Sequence, residues 1–287
     1  MSGYLLYYLL IKPFSWLPLS VLYFISGGVF FMLYHVFGYR KKVVWNNISK
    51  AFPEKSKEEQ TIIMKKFYKH LSEILAESIK SFSISEEQVK KRVKAISTNI
   101  FDDYFSQGKS VIITGGHYNN WEWYALYVAF QIKHDVYGVY KPIKNKFFDN
   151  LMKNSRGRFG LNLISMAETR EFLLKDHAKP VAIILGNDQS PSNPERAIWT
   201  TFMGRNTAVL HGTETIAKKH NWPVIYGELI KLKRGYYQIE YRVLFDQPRD
   251  TKEKEITEAH CKALEDTIRK APQYYLWSHR RWKHTKN

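Results

Sequence analysis

The stretch "PFSWLPLSVLYFISGGVFFMLYHVFGYRKK" has no Asp, Glu, Lys or Arg from Phe14 through Tyr39. Those 26 residues exceed the ~20 apolar residues that cross a hydrocarbon core. Pro18 and the Gly27-Gly28 pair dilute the run. A helix dipping into one leaflet therefore stays open beside a spanning one, and a buried core helix is the bland alternative. The basic cluster Arg40, Lys41, Lys42 follows the run and no small-x-small site comes after it, which argues against a cleaved signal peptide. Residues 1–42 are thus expected to anchor the chain to a membrane. If the segment spans, the trailing cations are expected to place the bulk of the chain, residues 43–287, on the cytoplasmic side.

Charge and aromatic content narrow the partners. Lys plus Arg number 44 against 27 Asp plus Glu, a net +17 that suits nucleic acid, anionic headgroups or an acidic carrier protein. Eight Trp and nineteen Tyr suit a membrane–water interface. They also suit stacking on single-stranded nucleic acid. However, the basic residues are scattered among apolar strands and form no nucleic-acid motif, so nucleic acid is not expected as a partner. The single cysteine, Cys261, excludes an internal disulfide and a cysteine-based zinc site, and suits a reducing compartment.

Beyond the apolar run, residues 56–94 read as two helices. Both "SKEE" (56–59) and "SEEQ" (85–88) have capping-box spacing. From residue 110 short apolar runs ("SVIITGG", "DVYGVY", "LNLIS", "PVAIILGN", "PVIYGELIKL") alternate with helical stretches ("NWEWYALYVAFQI", "FFDNLMKNSRGRF", "AETREFLLKD", "AVLHGTETIAKKHN"). This alternation predicts an α/β domain with a mixed, mostly parallel central sheet flanked by helices. "GYYQIEYRVLF" adds an antiparallel strand, and a last helix stops before Pro272.

An H-x4-E spacing occurs twice. His260/Glu265 falls inside the last helix, where positions i and i+5 point to different faces. His117/Glu122 instead follows an apolar strand and two glycines, in "TGGHYNNWEWY", with Asn120 placed to cap a helix beginning near Trp121. Strand-to-helix corners of this kind hold ligands in α/β sheets. There Glu122 is expected to reach back to one imidazole nitrogen, leaving the other as a general base. No G-x-S-x-G elbow and no third metal ligand accompany the pair, so neither a nucleophile nor a metal is expected. A base alone can activate an external hydroxyl, and acyl transfer from a thioester to an alcohol needs nothing more.

The block "GGHYNNWEW" resembles the H-x4-D/E motif of the lysophospholipid acyltransferase superfamily. It is closer still to the branch of late lauroyl and myristoyl acyltransferases of bacterial lipid A biosynthesis. The resemblance covers nearly the whole chain: "YRKKVVWNNISKAFPEKS" (39–56), "YKPIKNKFFDNLMKNSRGRFG" (140–160), "GNDQSP" (186–191) and "YLWSHRRWK" (275–283) follow that branch's blocks in order. It implies a glycerol-phosphate-acyltransferase-like fold on the inner membrane, catalytic domain facing the cytoplasm. It implies His117 as base and Glu122 as its orienting partner. Arg156, or Arg158 beside it, would be the functional arginine, paired with the loop aspartate Asp188 as a rigid cation near substrate. Asn120, Gln189 and Gly204 complete the implied substrate site, Gly204 in a turn before a helix whose positive end faces the reaction. The implied acceptor is a lipid A precursor (alternatively a lysophospholipid or aminolipid). The donor is acyl carrier protein or acyl-coenzyme A, with no other cofactor. "HRRWK" fits an interfacial anchor or a substrate contact. Asn119 departs from the branch, which has glycine there, and Gln189 stands where histidine is common. The first change is expected to put a side chain beside the reaction centre.

Overall fold

The computed structural model describes residues 2–284. The last three residues of the expected catalytic domain lie outside them. Short helices α1 (Ser2–Leu6) and α2 (Lys12–Trp16) lead to α3 (Leu19–Phe31), which Met32–Val36 continues with π-type winding. Leu19–Val36 is one helix long and apolar enough to cross a membrane, and only 17% of it is buried. α4 (Lys41–Ala51) begins where the anchoring segment was expected to end. It precedes the long α5 (Lys57–Lys80), on which α3 packs. Ser56 and Glu59 form the reciprocal capping box that starts α5.

The helix α6 (Glu86–Arg92) passes directly into strand β1 (Val93–Ile96), followed by α7 (Asn99–Ser106) and β2 (Val111–Gly115). Then come α8 (Trp121–Tyr127), β3 (Asp135–Tyr140), α9 (Lys146–Gly157), β4 (Asn162–Ser165), α10 (Thr169–Phe172) and β5 (Val181–Gly186). A hairpin, β6 (Ile198–Phe202) and β7 (Arg205–Val209), precedes α11 (Gly212–His220). The chain closes with β8 (Val224–Lys233), β9 (Tyr236–Phe245) and α12 (Glu255–Lys270).

Seven strands form one sheet in the order β1-β9-β8-β2-β5-β3-β4. Only the β8–β9 pair is antiparallel; β1 pairs parallel to β9, and all other pairs are parallel. The mixed, mostly parallel α/β sheet is therefore as expected. Both faces are covered. On one, Val111, Ile113 and Val136 pack with Trp123 and Leu126 of α8. On the other, Ile112, Val181 and Ile183 pack with Ile216, Ala217 and Ile256 of α11 and α12. Burial on both faces is why β2 and β5 read as unbroken apolar runs.

Glu77 ties the amino-terminal helices to this core. Its fully buried carboxylate accepts hydrogen bonds from Tyr23 of α3 at 2.7 Å, Asn120 at 2.6 Å and Tyr237 of β9 at 2.7 Å. Desolvation raises its pKa in spite of those three donors.

Candidate active site

Register brings the first pair together. β2 and β5 are parallel neighbours with Gly115 opposite Gly186. Each chain continues two residues past that glycine, so His117 and Asp188 leave the carboxyl edge of the sheet side by side. The Asp188 carboxylate accepts the His117 backbone N–H at 2.9 Å and meets its Nδ1 at 2.7 Å. This puts the imidazole proton on Nδ1 and leaves the Nε2 lone pair free. The Gln189 amide sits 3.3 Å from Nε2 and can donate to it, while the edge of Trp121 packs 5.4 Å from the ring. Asp188 is 2% exposed and the imidazole 28%.

Desolvation alone would lower the His117 pKa, but the charge and hydrogen bond of Asp188 outweigh it and raise the pKa above the ordinary value. Burial pushes Asp188 up, while His117 and more distant Arg281 bring it down to about 2. The carboxylate is thus ionised whenever the imidazole can cycle.

Glu122 does not reach the imidazole, contrary to expectation. Its carboxylate forms a two-point pair with Arg156, Nε to Oε2 at 2.8 Å and Nη2 to Oε1 at 2.6 Å, and accepts Trp121 Nε1 at 3.1 Å. The pairing expected between Arg156 and Asp188 is likewise absent. Partners are exchanged because α8 starts at Trp121: Glu122 projects from its first turn toward α9, while His117 belongs to the preceding turn, above β5. The guanidinium is fixed in a plane by this fork. Desolvation lowers its pKa, but the Glu122 bonds raise it further, so Arg156 is a permanent cation.

His117, Trp121, Arg156 and Gln189 line a cleft of about 510 Å³. Its lining is polar at Lys141, Ser190, His279 and Lys283, which lie outside the strands, and apolar at Ile113, Leu163 and Ile184 within β2, β4 and β5, with Ala125 and Leu161. His279 accepts the Ser190 N–H at 3.0 Å, and burial pushes its pKa down to about 4. His279 went unassigned in the sequence reading, although it lies within the "HRRWK" block. That block is not simply a surface anchor. Trp277 before it is fully buried, and Arg281 is 3% exposed and donates to the Ala208 carbonyl at 2.7 Å.

Four implied substrate residues do not line the cleft: Asp188, which holds His117, and three more. Asn120 is wholly buried, capping α8 through the Trp123 N–H at 2.9 Å and donating to Glu77. Arg158 donates to the Ser81 and Ile84 carbonyls at 3.0 and 2.9 Å, so it closes the carboxyl end of α5. Gly204 (φ 70°) and Met203 (φ 51°) form the two-residue turn of the β6–β7 hairpin. Positive φ at both positions is what a type I′ turn requires. β7 therefore separates Gly204 from α11, and the expected helix end does not follow it.

Asn119 also corrects an expectation. It sits at φ 56°, which explains why glycine or asparagine belongs there. Its side chain does not line the cleft, is fully buried and donates to the Leu229 carbonyl at 2.7 Å. Asn119→Val is expected to cost about 1–2 kcal/mol in backbone strain, plus about 1 kcal/mol for the lost hydrogen bond. Asn119→Gly should lose only the second contribution, so thermal unfolding should rank the valine variant below the glycine variant.

The second H-x4-E instance is no site. His260 is buried against Thr114 Oγ1 at 2.9 Å, whereas Glu265 accepts the Met203 N–H at 2.7 Å. Cys261 is buried in α12, where burial pushes its thiol up to about 12, far from thiolate chemistry.

The chain is 22% identical over 272 residues to the lipid A biosynthesis lauroyltransferase of Escherichia coli (strain K12), covering 93% of this chain and 87% of that one. It is 22% identical to the lipid A biosynthesis palmitoleoyltransferase of the same strain, covering 93% and 86%. The family model for bacterial lipid A biosynthesis acyltransferases matches residues 2–284. With every described residue inside that match, the chain belongs to the bacterial lipid A biosynthesis acyltransferase family.

Proposed function

We propose that this acyltransferase moves a fatty acyl group from a thioester donor, acyl carrier protein or acyl-coenzyme A, to a hydroxyl of a lipid A precursor. It works at the cytoplasmic face of the bacterial inner membrane. The observation that carries the reading is the imidazole of His117, locked through Nδ1 onto Asp188 with Nε2 turned to the cleft. Nε2 takes the acceptor's hydroxyl proton as its oxygen attacks the thioester carbonyl. The tetrahedral oxyanion then collapses, the C–S bond breaks, and the imidazolium returns its proton to the departing thiolate. Arg156, held rigid by Glu122, supplies positive charge for the oxyanion or for an acceptor phosphate. The H-x4-E spacing thus serves as a base and a cation holder rather than as a dyad.

The membrane reading rests on the amino-terminal 42 residues. Their large apolar side chains face outward, with Phe24 87% exposed, Phe37 71%, Leu9 67% and Trp16 66%. A water-facing surface does not carry so many together. The +17 charge favours an acidic carrier and a phosphorylated lipid alike.

His117→Ala is expected to fold and to lose about 10²–10⁴-fold in turnover. In the wild type, kcat/KM should rise with pH along a limb centred above the ordinary imidazole value of 6.5, because Asp188 holds the proton on. Mass spectrometry of lipid A from a deletion strain, with and without the complementing chain, tests the acceptor. An unchanged acyl count would reject lipid A and leave a lysophospholipid or aminolipid acceptor. Near-wild-type transfer by His117→Ala would reject the base.

A further inference from the structure

We propose that the donor's hydrocarbon chain lies across a strip of the sheet that lacks side chains and ends against Gly138, which sets the chain length accepted. This rests on the acyl-transfer reading of the same cleft. Strand register lays out the strip. Thr114 pairs with Tyr226, so Gly115 of β2 is level with Gly227 of β8. On the other side Gly115 pairs with Gly186 of β5. Gly138 of β3 pairs with Ile184, two residues deeper than Gly186. All four glycines line the cleft. Their strand neighbours Ile113, Ile184 and Val136 face the core under α8, so the strip lies on that face. With strands ~4.8 Å apart, four adjacent glycine strands give a groove of roughly 15 Å.

Glycine within a strand weakens it, so four on adjacent strands along one cleft, three of them level and Gly138 two residues deeper, need a reason. Packing explains two of them. A Cβ on Gly115 would lie 3.1 Å from the Gly227 carbonyl oxygen, and one on Gly227 would lie 3.2 Å from the Tyr241 ring. Packing does not demand the other two. A Cβ on Gly186 would meet nothing nearer than the His117 ring at 3.5 Å, and one on Gly138 only side-chain ends, Leu163 Cδ2 at 3.2 Å and the Leu161 Cδ atoms at 3.7 Å. The space beside these two is part of the cleft itself. Strand register orders its lining: His117 and Lys141 stand past the carboxyl ends of β2 and β3, whereas Ile184 and Leu163 lie within β5 and β4 level with Gly138. A channel that is polar at the reacting end and apolar at the far end fits a fatty acyl tail.

Chain-length selectivity tests this assignment. Full-length wild type, Gly138→Val and Leu163→Ala would be assayed with saturated acyl-carrier-protein and acyl-coenzyme A thioesters from octanoyl to palmitoyl, using a lipid A precursor as acceptor. The valine variant should shift the kcat/KM optimum to shorter chains, and the alanine variant to longer ones. The long-to-short ratio should move by about tenfold or more in each case, the value of a methylene in an apolar pocket. Opposite shifts support the assignment, and wild-type profiles in both variants overturn it. If Gly138→Val does not fold, an unchanged optimum in Leu163→Ala is sufficient to overturn it. A wild type that transfers acyl groups from none of these donors overturns the acyl-transfer reading, and this inference with it.

Discussion

Asp188→Asn is expected to lower turnover by about 10⁴-fold while leaving the fold intact, the size of loss seen when an orienting aspartate beside a catalytic histidine becomes an amide. The amide would still fill the pocket and accept the His117 N–H. At Nδ1, however, it can present its NH₂, which favours the wrong tautomer and puts the imidazole proton on Nε2, the nitrogen that must take the acceptor's proton. Charge is lost as well. Asp188 raises the His117 pKa against desolvation. Without it desolvation is left dominant, and the acid limb of the pH–rate profile should move to lower pH in the residual activity. A variant with wild-type turnover and an unmoved limb would show that Asp188 does not orient the base.

The second large effect concerns Glu122. Glu122→Ala leaves the Arg156 guanidinium, 26% exposed, without its partner, and breaking such a pair costs about 3 kcal/mol or more. Denaturant unfolding should show this loss. The Glu122→Ala/Arg156→Ala double variant should recover much of it, because no unpaired charge remains, but it should not recover activity. The pH–rate profile separates this role from that of a histidine partner. If Glu122 held the imidazole, its removal would move the acid limb as far as removal of Asp188. The contacts of Arg156 predict a limb close to that of wild type with a depressed maximal rate. Arg156→Lys, which keeps the charge but loses the planar fork, should recover stability better than activity.

Much of the architecture was legible because the responsible forces are local. The capping box before α5, the Ser85 cap of α6, the apolar runs of β2 and β5, and the halt before Pro272 are all set within a few residues. Three features escaped. The β6–β7 hairpin turns on Met203-Gly204 rather than on Asn-Gly or Asp-Gly, so its signal was weak. The helical reading of residues 56–94 runs two residues into β1, which is four residues long and is held by β9, far away in the chain. The stretch "AETREFLLKD" likewise forms only the four-residue helix α10.

Within the site, the place of His117 at the end of a strand was readable and its partner was not. A histidine after a glycine pair at the end of an apolar strand, and Asn120 capping the next helix, are local chemistry that spacing exposes. By contrast, His117 and Asp188 lie 71 residues apart. Two carboxylates, Glu122 and Asp188, and two possible partners, His117 and Arg156, allow more than one matching, and sequence proximity favoured the wrong one. The sequence by itself determined which groups could do the chemistry and that they would sit at the carboxyl edge of a sheet. Only the tertiary structure decided who holds whom, because the match depends on the β2–β5 register and on the direction in which the first turn of α8 projects.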